Sequence, residues 1–163
     1  MLLLSISAGD PEKKSVMGHD EYNELLHKGI SAAEKGFIPS AQAYLDQAAQ
    51  INHSPAVLSY QAYCLAKGQG RIQAAIQFCR DALDRDPHNS LHYLIMGRIL
   101  LLSGHREKAI RAFRQGLRTS PNPKIIAELK KLGLRKPAIF QNLDRSHLLN
   151  RSLGKLFSKL GLR

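Results

Sequence analysis

The chain has 163 residues, of which 44% are hydrophobic and 23% charged, so it suits one soluble domain and excludes wholesale disorder or a fibrous class. A domain of this size buries roughly 68–70% of its extended-chain surface on folding, so a continuous core is expected without disulfide or metal staples. The net charge of +11 is uneven: residues 124–163 carry ten Lys or Arg against only Glu128 and Asp144, which leaves +3 for the first 123 residues and places the basic character in the tail.

The chain opens with Met1-Leu2-Leu3-Leu4-Ser5-Ile6, an apolar run too short for a membrane span and without the leading positive charge of a signal peptide. A cytoplasmic location is the resulting expectation. Asp10-Pro11-Glu12-Lys13-Lys14 can start one helical turn, but residues 1–17 are expected to be a mobile N-terminus.

From Tyr22 to Pro123 the sequence repeats itself without a gap, at a period of about 34 residues. Ala41, Ala75 and Ala109 fall in register, as do Leu45, Cys79 and Phe113; Ala48, Ala82 and Gly116; Gly36, Gly70 and Gly104; and Gly29, Tyr63 and Gly97. His53, Pro87 and Pro121 close the units. Each unit reads as a helix, a short turn at the glycine of the Gly36 column, and a second helix. Recurring small side chains let paired helix axes approach to about 8–10 Å. Pro39 suits an early turn of a second helix, where its missing N–H is harmless, and Ser54-Pro55 and Asn122-Pro123 are cap-then-proline helix starts. Lys124 to Gly133 then supplies an amphipathic helix with a glycine stop, suited to covering the third hairpin.

Pro137 biases Lys136 away from helix, which separates this capping helix from the tail. Beyond His147, the residues Leu149, Leu153, Leu156 and Leu160 form one stripe beside Phe157, with Arg151, Lys155 and Lys159 pointing away: a basic amphipathic helix. At this length it needs an apolar surface to pack on. That surface is the rest of the chain, in the favoured reading, or a partner protein, or an anionic membrane. The expected organisation is thus 1–17 mobile, 18–133 the repeat array with its capping helix, and 134–163 a linker with the tail helix.

The in-register columns resemble the tetratricopeptide repeat family, whose pattern of small residues and proline this chain matches over roughly Tyr22 to Pro123. The second-helix aromatic of that pattern is present here only as Phe113. The resemblance implies an all-α, right-handed solenoid of three helix-turn-helix hairpins whose first helices line a concave groove. By the family's offsets that groove presents Leu26, Ile30, Val57, Tyr60, Cys64, Lys67, Leu91, Leu94, Arg98 and Leu101. A lining of this kind is expected to hold an apolar or amphipathic segment of a partner protein, as an adaptor or chaperone-like module does. Relatives that hold acidic chaperone tails use a clamp of Lys, Asn and Arg; Leu26 and Ile30 stand at matching positions here, so that ligand is not expected.

No enzyme, cofactor or metal site is expected. Cys64 and Cys79 lie in apolar helical stretches and read as small core hydrophobes. The pair His88 and His92 has no Cys or carboxylate cluster beside it, no nucleophile elbow surrounds any Ser, and the Gly-Gln-Gly at 68–70 lacks the Gly-Lys-Ser/Thr of a phosphate loop. Nucleic acid is the alternative partner, because Arg106, Lys108, Arg111, Arg114 and Arg118 make the third hairpin basic; without interleaved aromatics for base stacking, a solvated helix face is the preferred reading.

Overall fold

The computed structural model describes residues 11–133, with side chains from Gly18 onward. Its helices are α1 (Pro11–Lys35), α2 (Ile38–Ile51), α3 (Pro55–Gln69), α4 (Ile72–Arg85), α5 (Ser90–Leu102), α6 (Arg106–Thr119) and α7 (Pro123–Lys131), with no strand among the described residues. Helix α1 starts at Pro11, ahead of the boundary at residue 18 read from the sequence. The tail residues Leu149, Leu153, Leu156, Phe157 and Leu160 lie outside the described residues. A first compact unit runs through Ile126 and holds the three hairpins with the first turn of α7; the described part of the second unit is the rest of that helix and its stop at Gly133.

The expected punctuation forms. Ser54 Oγ caps α3 by accepting the Val57 N–H at 3.3 Å, with Pro55 in the first turn. Asn122 Oδ1 accepts the N–H groups of Lys124 at 3.0 Å and Ile125 at 3.3 Å, again followed by a proline. Each such cap contributes on the order of 1 kcal/mol. The same residues join neighbouring repeats: the Tyr22 hydroxyl donates to Ser54 Oγ at 2.6 Å, and Asn122 Nδ2 donates to Ser90 Oγ at 3.1 Å. Gly36, Gly70 and Gly104 have φ of 87°, 66° and 77°, the left-handed conformation that ends the first helix of each hairpin and favours glycine.

Within the hairpins α1 packs on α2, α3 on α4 and α5 on α6; between them, α3 contacts α1 and α2 on one side and α5 on the other, and α5 also contacts α4. Ala41, Ala75 and Ala109 are fully buried at the paired-helix contacts, as are Leu45, Cys79 and Phe113. The glycine column meets these large residues directly. A Cβ at Gly29 would come 2.8 Å from Leu45 Cγ, and one at Gly97 would overlap the Phe113 ring. In the middle hairpin the sizes are exchanged, with Tyr63 in the glycine column and the small Cys79 in the other. At the end of the third hairpin Ile125 is fully buried beside Gly116, where a Cβ would stand 2.7 Å from Ile125 Cδ1.

One polar group lies inside this packing. Ser59 on α3 and His92 on α5 are fully buried, their Oγ and Nδ1 2.7 Å apart, while His92 Nε2 stands 3.4 Å from Asp86 Oδ2. The carboxylate only accepts, so Nε2 carries the proton and Nδ1 accepts from the Ser59 hydroxyl. Burial lowers the His92 pKa from its ordinary 6.5 and outweighs the opposing pull of Asp86. The trio satisfies its own polar atoms and joins the second hairpin to the third.

The packing and the buried ring each give an expected outcome. Gly97→Ala is expected to destabilise the fold by about 1–3 kcal/mol in chemical denaturation. Part of that loss should return when Phe113 is also reduced to Leu, and strict additivity of the two changes would contradict the contact. For His92, the folded pKa lies below the unfolded 6.5, so the unfolded chain binds more protons in that interval. Its contribution is fully present above pH 6.5 and is lost as pH falls below it through the folded value. Melting temperatures measured across this range should fall with acidification, and His92→Gln should flatten that part of the profile.

Candidate partner-binding face

The first helices α1, α3 and α5 carry the residues expected to line a groove, and the structure sorts them into two groups. Leu26, Ile30, Leu91, Arg98 and Leu101 are half-buried and keep part of their surface open. Val57, Tyr60, Cys64 and Leu94 are 0–1% exposed and belong to the interior, which corrects their expected place on an open lining. The physical reason is the position of α3 between two hairpins: it is packed by α1, α2, α4 and α5, so its apolar residues are covered nearly all round. Its sequence carries that signal, because Pro55–Gln69 is apolar on every face and not along a stripe, the pattern of a buried helix.

Two residues absent from the expected lining occupy the same register one position beyond it. Leu102, at the end of α5, is 48% exposed, the largest apolar exposure on that helix. Glu34, two repeats earlier at the end of α1, accepts three hydrogen bonds on its Oε1: from Arg98 Nη1 at 2.8 Å, Lys124 Nζ at 3.2 Å and the Tyr60 hydroxyl at 3.3 Å. These donors come from α5, the start of α7 and α3, so one carboxylate ties first helices that are not adjacent in the stack. Burial pushes the Glu34 carboxyl up, but Arg98 and then Lys124 outweigh it and hold it below its ordinary value. Burial, and next the Glu34 charge, push the Tyr60 phenol up, which keeps it a donor.

The other cation of the expected lining, Lys67, stands 5.5 Å from the centre of the Tyr63 ring and donates to its hydroxyl at 3.3 Å. Arg98 and Lys67 are therefore both engaged within the chain.

No described group of three or more His, Cys, Asp or Glu is placed to hold a metal. The Ser59, His92 and Asp86 trio has the residue types of a hydrolytic triad, but the serine and histidine are sealed in the core, out of reach of any substrate. On α6, Arg106, Lys108, Arg111, Arg114 and Arg118 are all exposed. No described helix is long and apolar enough to cross a membrane.

Comparison with known proteins places this geometry. The tetratricopeptide repeat (TPR) family model matches residues 66–132. No curated protein matches the chain. Among solved structures, the Arabidopsis OM64 TPR domain is similar with a TM-score of 0.54 at 21% identity, over 71% of this chain and 97% of that one. The first TPR domain of human RPAP3 is similar with a TM-score of 0.55 at 18% identity, over 69% of this chain and 89% of that domain. The second TPR domain of human RPAP3, solved in complex with the HSP70 peptide SGPTIEEVD, has a TM-score of 0.52 at 18% identity and covers 72% of this chain and 99% of its own.

The burial of the two thiols tests the sorting of the lining. Burial pushes Cys64 up to about 11 and Cys79 up to about 12, so both remain protonated thiols near neutrality. At mildly alkaline pH, iodoacetamide should leave both unmodified in the native protein over a time that labels both in denaturant; rapid native labelling of Cys64 would return it to an open surface. Residues 66–132 match the tetratricopeptide repeat model, and the stacked hairpins with their buried small-residue columns have the fold of TPR domains.

Proposed function

We propose that this chain is a protein–protein interaction module that receives an apolar or amphipathic segment of a partner along its first helices, in an adaptor or chaperone-like role. The observation that carries the reading is the apolar end of α5, where Leu102 is 48% exposed next to half-buried Leu101, with Leu91 at the start of the same helix. Leu26 and Ile30 on α1 also keep part of their surface open, at register positions other than those of Leu101 and Leu102. Covering the remaining surface of such side chains favours association by about 25 cal/mol per Å² of apolar area. A helix or strand with apolar anchors at regular spacing fits that chemistry. The likeness in fold to a TPR domain that was solved with a bound peptide supports a peptide ligand in general, although the acidic end of that peptide is not the chemistry proposed for this face.

Fluorescence anisotropy with a panel of amphipathic peptides, apolar at every third or fourth position, tests the reading. The wild-type chain should bind a subset of the panel. Leu102→Asp, at a site exposed enough to leave the fold intact, should weaken that binding at least tenfold, and Leu102→Met should retain it. Unchanged affinity in Leu102→Asp would remove this face from consideration.

A further inference from the structure

We propose that Glu34 is a selectivity residue: its carboxylate fills the position between Arg98 and Lys124 that a carboxylate on a bound segment would otherwise take, so the face accepts apolar segments and turns acidic ones away. This selectivity rests on the peptide-binding role of the first helices.

The geometry is that of an anion seat occupied from within the chain. Arg98 Nη1 and Lys124 Nζ, 2.8 and 3.2 Å from the same Glu34 oxygen, lie within about 6 Å of each other. Two cations at that separation repel, an anion between them relieves that repulsion, and Tyr60 adds a neutral donor to the same point. The side chains of Glu34 and Arg98 are 27% and 15% exposed, which shields the contact from full solvent screening. An entering carboxylate would have to displace one that is tethered to the same fold. An intramolecular group is present at an effective concentration in the millimolar range or above, so a free ligand carboxylate of ordinary affinity loses that competition.

The seat is expected to leave apolar contacts undisturbed. Leu101 and Leu102 present hydrocarbon, and nothing about covering them requires Glu34 to move. Sequence register alone hides this arrangement, since Glu34 and Lys124 are 90 residues apart.

The test uses the full chain as wild type, Glu34→Gln, Glu34→Ala and Glu34→Ala with Arg98→Ala. Two probes are compared by anisotropy: an amphipathic peptide that the wild type binds, capped as the amide, and the same peptide ending in two glutamates with a free carboxylate. Wild type should bind the acidic probe at least tenfold more weakly than the neutral one. Glu34→Ala should reverse that ratio, with a gain that shrinks in high salt and vanishes when Arg98 is also removed; Glu34→Gln, which keeps the side-chain shape, should lessen the discrimination and guards against misfolding of the alanine variant. Unchanged discrimination in both single variants overturns the proposal and leaves the peptide-binding reading standing. Should wild type bind neither probe, that reading fails and acetate decides the role of Glu34 by itself. A melting temperature of Glu34→Ala that rises with acetate but not with chloride supports the seat, and no rise overturns it.

Discussion

Close approach of paired helices, made possible by small side chains that recur once in every repeat, is the constraint on which this structure depends. Ala41, Ala75 and Ala109 are fully buried, and Gly29 and Gly97 leave room for Leu45 and Phe113 to reach across to the facing helix. The middle unit shows that volume, and not residue identity, is what the hairpin needs. It has Tyr63 and the small Cys79 in the two columns where the outer units have glycine and a large residue. Interiors packed at crystal-like density tolerate exchanges that conserve volume and resist those that add to it.

Once hairpins form, their stacking decides which surfaces remain open. A repeat in the middle of a short array has neighbours on both sides, and α3 accordingly buries Val57, Leu58, Ser59, Tyr60, Ala62, Cys64 and Ala66. The outer first helices, α1 and α5, have one hairpin neighbour each and keep half-buried leucines and an isoleucine available. A candidate binding face in such a short array therefore belongs mainly to its ends. The polar contacts follow the same logic. Ser59, His92 and Asp86 join adjacent hairpins from inside the core, whereas Glu34 reaches past its neighbour to Arg98 and Lys124 from the outer side. A solenoid repeat ordinarily touches only the next repeat; here a carboxylate also links the first hairpin to the third.

Charge plays a more selective role than the net value of +11 suggests. The cations on α6 are exposed, while those of the first-helix row are engaged internally, Arg98 by Glu34 and Lys67 by Tyr63. On the face proposed to bind a partner, Glu34 offsets one of the two charges of Arg98 and Lys124, while the cations of α6 are exposed on another helix.

Much of the architecture was legible in the residues themselves. The repeat period, the turn glycines, the Ser54-Pro55 and Asn122-Pro123 starts and the buried alanine columns depend on local conformation and on contacts between helices adjacent in sequence, which repeat spacing encodes directly. The end of the first helical segment was readable, and Asp10-Pro11 can start a helical turn, but the continuation of that turn into the first repeat helix was not expected, because residues 1–17 read as a mobile terminus. The site was only half legible. Of the residues that register offsets placed on an open lining, Leu26, Ile30, Leu91, Arg98 and Leu101 keep part of their surface open, whereas Val57, Tyr60, Cys64 and Leu94 are closed in by stacking, since a small rotation of a helix exchanges groove for core. Tertiary structure alone brought Glu34 to Arg98 and Lys124 and Ser59 to His92: the first two pairs, 64 and 90 residues apart, meet only when successive hairpins stack, and the third, 33 apart, meets where α3 packs on α5, contacts between repeats that are written in no single repeat.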